Sequence, residues 1–525
     1  MKIEHGLIML VIILSSGSFS QEENYPESFK EPIKLFDEGL GDFHFPISSR
    51  VENAQRFFNQ GFQLMYAFAK EDAARSFQAS HLADPECAIC WWGEAWAWGS
   101  YLNGAMTTAQ APRAYFALQQ AMQRIDSATQ KESDMIHALQ ARYIEDFKPE
   151  TRRIQDQAYA DAMAILAEKY PNDEDLLTLY GDALFLLEER RGYRSLTDPN
   201  VERLHKVLLS VLEKNIKHPG ACHLLVHATE STATPELAAP CAKFLGNTIP
   251  GASHINHMPS HTWNELGLWH EAVRANITAS HSDQKAAIGQ GFSIYPTHNL
   301  TMLYYAASMG GESATAIQAA KDLAKLNNNT AMLSLALVRF GRFDEVSEIN
   351  KKPNGEINIS MYDFAQGYAA LKDGNIETAQ KVAGSLKKLA NSTNSRFRFH
   401  DGKDIIGTMA AILEGEIAWH QGNLETATNS FRLAIDYYEN LNYDEAEPLP
   451  FSPRHWLGAA YMAMGAHENA LEQYQKDLTE HPNNIWGLWG AQQASRKMAK
   501  PSPSIDTELV KAFSFSDIWL PDTKF

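Results

Sequence analysis

The feature that most constrains the fold is a spacing of small, aromatic and proline residues that recurs in distant parts of the chain. In GFQLMYAFAKEDAARSFQASHLADP, an alanine, an aromatic residue and a proline follow the first glycine by 12, 16 and 24 positions. GAAYMAMGAHENALEQYQKDLTEHP repeats this spacing near the C-terminus. Small residues let two helices pack closely, an aromatic ring fills the gap between them, and proline ends the second helix. The spacing therefore predicts stacked pairs of antiparallel helices.

Four segments share this register, and in three of them a second glycine marks the turn between the helices. The residues are Gly61, Ala73, Phe77 and Pro85; Gly367, Gly374 and Ala379; Gly415, Gly422, Ala427 and Phe431; and Gly458, Gly465, Ala470, Tyr474 and Pro482. This register resembles the tetratricopeptide repeat. The resemblance implies an all-α fold, a right-handed superhelical solenoid of helix pairs, irregular and with insertions. Its concave groove would hold a protein or peptide partner.

The two ends of the chain differ from this central array. The first residues, MKIEHGLIMLVIILSSGSFSQ, combine one lysine, a short apolar run and small residues, which is typical of a secretory signal. We predict a signal peptide at 1–20, an N-terminal segment at 21–45, the solenoid at 46–498 and a C-terminal tail at 499–525. An uncleaved N-terminal anchor is the alternative. No later apolar stretch is long enough to span a bilayer, so the mature chain is expected in the periplasm, secreted or at the cell surface.

Composition excludes one class of partner. The net charge is −18, and the chain has no run of lysine and arginine, so we expect no nucleic-acid partner.

Four cysteines fit an oxidising compartment. Cys87 and Cys90 form a CxxC pair, for which a redox-active role is the alternative to a disulfide. We predict that Cys222 is bridged to Cys241, because neighbouring antiparallel helices can bring such positions within disulfide reach. Two disulfides are the favoured interpretation.

Histidines are concentrated in one region. Eight of the 19 lie between positions 223 and 298, where an even spread would place about three. They are His223, His227, His254, His257, His261, His270, His281 and His298. Imidazole-rich clusters are typical of zinc and copper sites. Histidines that only cap helices or bind backbone carbonyls are the alternative, and this is the interpretation we favour for His270 and His281.

The spacing of these residues suggests which of them could bind a metal ion. In HLLVHATE, His223, His227 and Glu230 project from one helix face, with Glu230 as a third ligand or as an acceptor that orients an imidazole. In HINHMPSHTW, proline starts a helix, which places His261 in the first turn and His257 just before it. His298 would open a later helix. The candidate ligands to zinc or copper are therefore His223, His227, Glu230, His257, His261 and His298.

Aromatic and basic residues suggest a second kind of site. Trp92 and Trp96 could line the groove and stack on a peptide or a sugar, although packing between repeats is the favoured role. Arg190, Arg191 and Arg194 could bind carboxylate or sulfate groups, or form ion pairs on the surface. A carbohydrate ligand is thus a further possibility.

Several longer motifs connect the chain to a family. They are DPECAICWWGEA, HLLVHATE, HINHMPSHTW, YPTHNL, YDEAEPLPFSPRHWLGAAY and HPNNIWGLWG. Together they resemble those of a bacterial family of secreted tetratricopeptide-repeat proteins with His-rich motifs, which has no settled activity. Family members often carry another His at the position of Thr301.

Two hypotheses for function follow. The first is a secreted or periplasmic binding or scaffold protein, an accessory in a cell-envelope system that handles extracellular polymers such as polysaccharides. The absence of a Ser-His-Asp elbow, a phosphate-binding glycine loop and paired catalytic carboxylates favours it. The second is a zinc- or copper-dependent hydrolase or oxidase that uses the histidine cluster.

Overall fold

The structure is a computed structural model, and it describes residues 25–36, 38–188 and 192–525. The predicted signal peptide at 1–20 lies outside the described residues. Within them, no helix combines the length and the apolar character needed to cross a membrane.

The described chain is predominantly helical, with almost no strand, which confirms the predicted all-α class. The N-terminal helices are α1 (Glu52–Tyr66), α2 (Lys70–Ala83), α3 (Ala88–Trp98), α4 (Ala111–Gln123), α5 (Gln130–Gln140), α6 (Arg152–Lys169), α7 (Glu174–Phe185), α8 (Pro199–Leu212) and α9 (Pro219–Thr229). The central helices are α10 (Ala239–Ala242), α11 (Ser253–His257), α12 (Pro259–Glu265), α13 (Trp269–Ala286), α14 (Pro296–Gly310), α15 (Ser313–Asn327), α16 (Ala331–Arg339) and α17 (Phe343–Ser347).

The C-terminal helices complete the array. They are α18 (Glu356–Lys372), α19 (Ile376–Ala390), α20 (Gly402–His420), α21 (Leu424–Tyr438), α22 (Arg454–Ala463), α23 (His467–Glu480), α24 (Ile485–Lys497) and α25 (Pro503–Phe513). Short 3-10 helices span Glu27–Lys30, Ile125–Ser127, Pro149–Thr151, Pro235–Ala238 and Leu245–Asn247. One small antiparallel hairpin pairs β1 (Arg396–Phe397) with β2 (His400–Asp401).

The repeat spacing corresponds to close packing within helix pairs. A Cβ atom added to Gly415 of α20 would lie 2.3 Å from the ring of Phe431 on α21. The equivalent distance from Gly458 to the ring of Tyr474 is 2.5 Å. Since Cβ atoms do not approach rings so closely, only glycine allows these helices to pack at this distance. The predicted helix pairs and the small-residue contacts within them are confirmed.

The array curves far enough for its C-terminal helices to contact its middle. The indole of Trp486 on α24 donates a hydrogen bond to the carbonyl of Ser308 on α14, at 3.1 Å. The indole of Trp269 on α13 donates to the carbonyl of Pro482, at 2.9 Å. The chain end also packs inward, where the ring of Phe525 contacts Trp456 with a centroid distance of 4.7 Å.

The segment between α21 and α22 lies on the inner side of this curve. Leu449 and Phe451 are buried, and the ring of Phe451 contacts Phe364 of α18. Glu447 pairs with His481, just beyond α23, at 3.0 Å. The inner side of the array, where the sequence predicts a groove for a partner, is thus partly filled by the protein's own chain.

Both expected disulfides are present. Cys222 on α9 is bonded to Cys241 on α10, with their Cα atoms 5.3 Å apart, and Cys87 is bonded to Cys90. The first bridge links the helix that carries His223 and His227 to its neighbour, and such cross-links stabilise a fold by about 3 kcal/mol.

The helix-pair packing can be tested with two alanine substitutions. We expect Gly415→Ala to lower the free energy of unfolding by about 1–3 kcal/mol, because the new methyl group overlaps the Phe431 ring. Gly384→Ala is the matched control: it lies inside α19 with nothing within 4 Å of its Cβ position. There alanine should raise stability by up to about 1 kcal/mol. Chemical denaturation measures both values, and equal effects would contradict the packing account.

Candidate metal centre

Three short stretches of helix position the clustered histidines. Pro219 begins α9, so that His223 and His227 lie one turn apart on a buried helix. Pro259 begins α12 directly after α11, and Met258 between them also has helical dihedral angles, so His257 and His261 lie about one turn apart. Prolines suit these first helical positions because they have no N–H group to leave unsatisfied.

The structure brings six histidines and two glutamates together. They are His223, His227, His254, His257, His261, His298, Glu230 and Glu445. All are at most 4% exposed except His298, whose side chain is 19% exposed. His298 lies in the first turn of α14, as the sequence predicts.

The first group contains His223, His227 and His254, whose ligand atoms lie within 4.8 Å of one another. His223 Nδ1 is 2.6 Å from the carbonyl oxygen of Tyr66, and His227 Nδ1 is 3.0 Å from a carboxylate oxygen of Glu230. Both oxygens are acceptors, so each Nδ1 carries the hydrogen and each Nε2 carries a lone pair. The two orienting acceptors thus select the tautomer that a metal ion requires.

His254 completes this group. It is 1% exposed, and neither of its ring nitrogens has a hydrogen-bond partner among the described residues. A buried imidazole without partners is costly, so this side chain calls for a ligand that binds nitrogen lone pairs. His254 belonged to the sequence cluster but not to the predicted ligand set.

The second group contains His257, His261 and His298. The Nε2 atoms of His257 and His261 are 2.7 Å apart. His261 Nδ1 lies 2.6 Å from a carboxylate oxygen of Glu230, an ion-pair distance.

Asn276 fixes the tautomer of His257. The Asn276 amide nitrogen donates to the carbonyl of Ala272 at 2.9 Å, so its oxygen is the atom that lies 2.7 Å from His257 Nδ1. That oxygen can only accept, and His257 Nδ1 must therefore carry the hydrogen. The Nε2 atom of His257, which faces His261, is then a lone-pair bearer.

Glu230 connects the two groups. One of its oxygens accepts a hydrogen bond from His227, and the other lies 2.6 Å from His261 Nδ1. Burial and the neighbouring Glu445 raise the pKa of Glu230, but His227 and His261 outweigh both and hold that pKa below its usual value. Glu230 is therefore an ionised carboxylate that orients His227 and lies beside His261. With His227, His261 and Glu445 it forms a further group whose ligand atoms lie within 4.8 Å of one another.

Glu445 reaches the cluster from the segment between α21 and α22. Its carboxylate lies 3.9 Å from His261 Nδ1 and 4.0 Å from His298 Nε2. The sequence analysis missed this residue as a site member. The available signal was a buried acidic pair, Asp444 and Glu445, inside an insertion that interrupts the repeats.

Two histidines of the cluster, His254 and His257, are held neutral. Burial, followed by the neighbouring histidines, lowers the pKa of His254 and of His257 well below the usual value. Neutral imidazole is the form that binds metal ions, so the electrostatics of the cluster favour coordination.

Two cavities adjoin the cluster. One, of about 540 Å³, is lined by His298, Tyr295 and Glu445. The other, of about 340 Å³, is lined by His261 and Glu445. Small molecules therefore have space beside the second histidine group.

The remaining sequence candidates have other roles. His270 pairs with Glu312 at 3.1 Å and stacks on Phe515, while His281 is exposed. Trp92 and Trp96 are buried in the core, in agreement with the favoured packing role.

Of the three arginines that the sequence analysis singled out, the structure describes one. Arg194 donates to the carbonyl of His227 at 2.7 Å and to the hydroxyl of Ser231, so it supports the end of α9. Arg190 and Arg191 lie outside the described residues.

Comparisons with known proteins identify no relative. No family model matches the chain, and no curated protein matches it significantly. Among solved structures, it is similar to the anaphase-promoting-complex assembly Cut9–Hcn1, with 14% identity over 89% of this chain and 74% of that one and a TM-score of 0.29. It is also similar to the human IFIT1 dimer with m7Gppp-AAAA, with 9% identity over 90% and 91% of the chains and a TM-score of 0.30.

A third solved structure is also similar to this chain. It is the TPR domain of P58(IPK), with 10% identity over 85% of this chain and 98% of that one and a TM-score of 0.24. Such low scores transfer no function to this protein.

The neutral state of the buried histidines predicts a pH dependence of stability. Because the folded protein keeps His254 uncharged while the unfolded chain protonates it below about pH 6.5, the free energy of unfolding of metal-free protein should fall on acidification. We expect His254→Gln to reduce that slope by up to about 1.4 kcal/mol per pH unit. Denaturation between pH 7.5 and 5 measures it.

The control for this measurement is His281→Gln, because His281 is exposed. Its slope should equal that of the wild type. A slope unchanged by His254→Gln would mean that the buried imidazole is charged or already solvated.

Proposed function

We propose that this protein is a metal-dependent enzyme, a hydrolase or an oxidase, with a centre formed by two groups of three histidines. The observation that carries the proposal is the pair of Nε2 atoms of His257 and His261, 2.7 Å apart. The Asn276 oxygen takes the hydrogen of His257 Nδ1, and the Glu230 carboxylate lies 2.6 Å from His261 Nδ1. When the hydrogen of His261 is on that Nδ1, two lone pairs face each other. A cation between them removes this repulsion.

A metal ion fits this position better than a proton. With the His261 hydrogen on Nδ1, a proton shared by the two Nε2 atoms would create an imidazolium, which burial disfavours at His257. Two imidazoles bound to one Zn²⁺ or Cu²⁺ place their nitrogens about 3.3 Å apart, so the rings would separate by a few tenths of an ångström. His298, at the edge of a cavity, supplies a third imidazole.

The first group offers a second ion the same kind of donor set. His223 and His227 are oriented by the Tyr66 carbonyl and by Glu230, and His254 needs a partner for its ring. The ligand atoms are all imidazole nitrogens, which suits zinc and copper and does not suit magnesium or calcium.

Catalysis is favoured over a purely structural ion by the number of ligands. Structural zinc sites have four protein ligands, whereas catalytic sites have three and leave one position open. Each group here has three histidines, and the second group borders two cavities. When bound, such an ion would polarise a substrate or water if it is zinc, and exchange electrons if it is copper.

Glu445 is the candidate for proton transfer beside this centre. Its carboxylate lies within 4.0 Å of His261 and His298 and lines both cavities. A carboxylate in that place could accept a proton from a substrate that enters from either side.

We further propose that the protein works outside the cytoplasm. The apolar N-terminus and the two disulfides support secretion to the periplasm or the surface. A scaffold role, with a protein, peptide or polysaccharide as partner, stays a second proposal. The tryptophans on which a carbohydrate site would rely are buried.

Metal content tests the proposal directly. Protein purified without a His-tag from zinc- and copper-supplemented medium should contain about two ions per chain by mass spectrometry of the metals. We expect His254→Ala and His298→Ala each to lose about one ion, because each removes one of three ligands from a different group. His270→Ala is the control and should keep both. Less than about 0.1 ion per chain in the wild type would contradict the proposal.

The orienting residue Asn276 provides a finer test. Asn276→Leu removes the acceptor for His257 Nδ1 and touches no predicted ligand of the first group. We expect the affinity for one ion to fall 10- to 100-fold while the other is unchanged, as competition with a chelator would measure. Equal loss of both ions would indicate general destabilisation instead.

A further inference from the structure

The cavity of about 340 Å³ beside the second histidine group has an unusual wall, and we call it the acidic cavity. Its volume is within the range of pockets for small organic molecules. Six carboxylates line it: Glu265, Glu439, Asp444, Glu445, Glu447 and Glu480. None of the described residues that line it is a lysine or an arginine.

Basic side chains outside the cavity neutralise several of these carboxylates. Arg454 binds Glu439 and also lies 3.4 Å from Glu480. Arg398 lies 2.9 Å from Asp444. These acids are therefore already compensated within the protein.

Glu447 is compensated as well. It lies 3.0 Å from His481, and it also accepts a hydrogen bond from Tyr438. Asp477 is the second carboxylate beside His481. Burial lowers the pKa of His481, but Glu447 and Asp477 outweigh it and hold that pKa well above the usual value, so His481 is a cation.

Glu265 differs from its neighbours. Within the described part of the chain, its carboxylate has neither an ion pair nor a hydrogen-bond partner, although it is only partly exposed. Burial, and then Glu230 and Glu447, raises the pKa of Glu265 to about 8. A carboxyl group in that condition gains most from a cation placed next to it.

A second, independent group points the same way. Asn264 lines the cavity and is 92% buried, with 8% of its surface exposed, and its side-chain oxygen has no hydrogen-bond partner among the described residues. Its amide nitrogen makes only a long contact, 3.9 Å, to the sulfur of Met302. The Glu265 carboxylate and the Asn264 side-chain oxygen are both acceptors, so a ligand that donates hydrogen bonds would match them.

Aromatic rings form the rest of the wall. Trp269, Tyr305 and Tyr438 are buried residues that line the cavity, and the rings of Trp269 and Tyr305 contact each other edge to face at 6.0 Å. Aromatic faces attract organic cations, and they exclude hydrated metal ions that need a full set of oxygen ligands.

We propose that the acidic cavity binds the protonated amino group of a small organic amine, with Glu265 as its counter-ion and Asn264 as a hydrogen-bond acceptor. The carbon skeleton would lie against Trp269 and Tyr305. The same cavity is bordered by His261 and Glu445, so the bound amine has its other end beside the second histidine group. The role of the amine as substrate rests on the proposed metal centre, whereas its binding does not.

The test is titration calorimetry with 2-phenylethylamine, 2-phenylethanol and 3-phenylpropionate, which share a ring but differ in charge. At pH 8 the wild-type protein should bind the amine at least tenfold more tightly than the alcohol and should not bind the acid. Glu265→Gln should reduce amine affinity at least tenfold, to the level of the alcohol. Glu271→Gln is the control, because Glu271 is an exposed carboxylate that does not line the cavity, and it should stay within twofold of the wild type.

Each titration is run on metal-free and on zinc-loaded protein. The proposal is supported if the metal-free and the zinc-loaded wild-type protein both bind the amine and the Glu265→Gln variant does not. This holds even if the purified protein contains no metal. Metal binding without any preference for the amine overturns it and leaves the metal centre standing. Equal affinity for amine and alcohol in the wild type overturns it as well, whether or not the Glu265→Gln variant folds.

Discussion

The buried carboxylate of Glu230 is the interaction on which the centre depends. It accepts a hydrogen bond from His227 at the end of α9, and its other oxygen lies 2.6 Å from His261 Nδ1 in the first turn of α12. One ionised side chain therefore fixes the tautomer of His227 and contacts an imidazole of the second group. Loss of one partner would leave a charge buried without compensation, which costs several kcal/mol. The geometry of both groups is consequently coupled through a single residue.

The helical array supplies the rigidity that such a centre needs. Close packing at glycines such as Gly415 leaves little room for the helices to shift. The bridge between Cys222 and Cys241 ties α9 to α10 immediately beside His223. The segment that fills the inner side of the array brings Glu445 to the histidines from a distant part of the chain. Ligands held on rigid elements lose little entropy when an ion binds.

The sequence predicted the parts of this arrangement that depend on local spacing. The glycine, alanine and aromatic register predicted the helix pairs, and the i, i+4 and i+7 spacing placed His223, His227 and Glu230 on one face. Long-range contacts could not be predicted in this way. Asn276 and Glu445 reach the cluster only because the array curves and an insertion folds inward. The local spacing of residues in the sequence contains no information about either of these long-range features.

Absorption spectroscopy at the metal edge, together with anomalous diffraction, tests the central claim most directly. The account predicts two anomalous peaks, one among His223, His227 and His254 and one among His257, His261 and His298, with nitrogen ligands at about 2.0–2.1 Å. Imidazole scattering should dominate the spectrum. A single peak elsewhere on the chain, or a spectrum with oxygen ligands alone, would contradict the account.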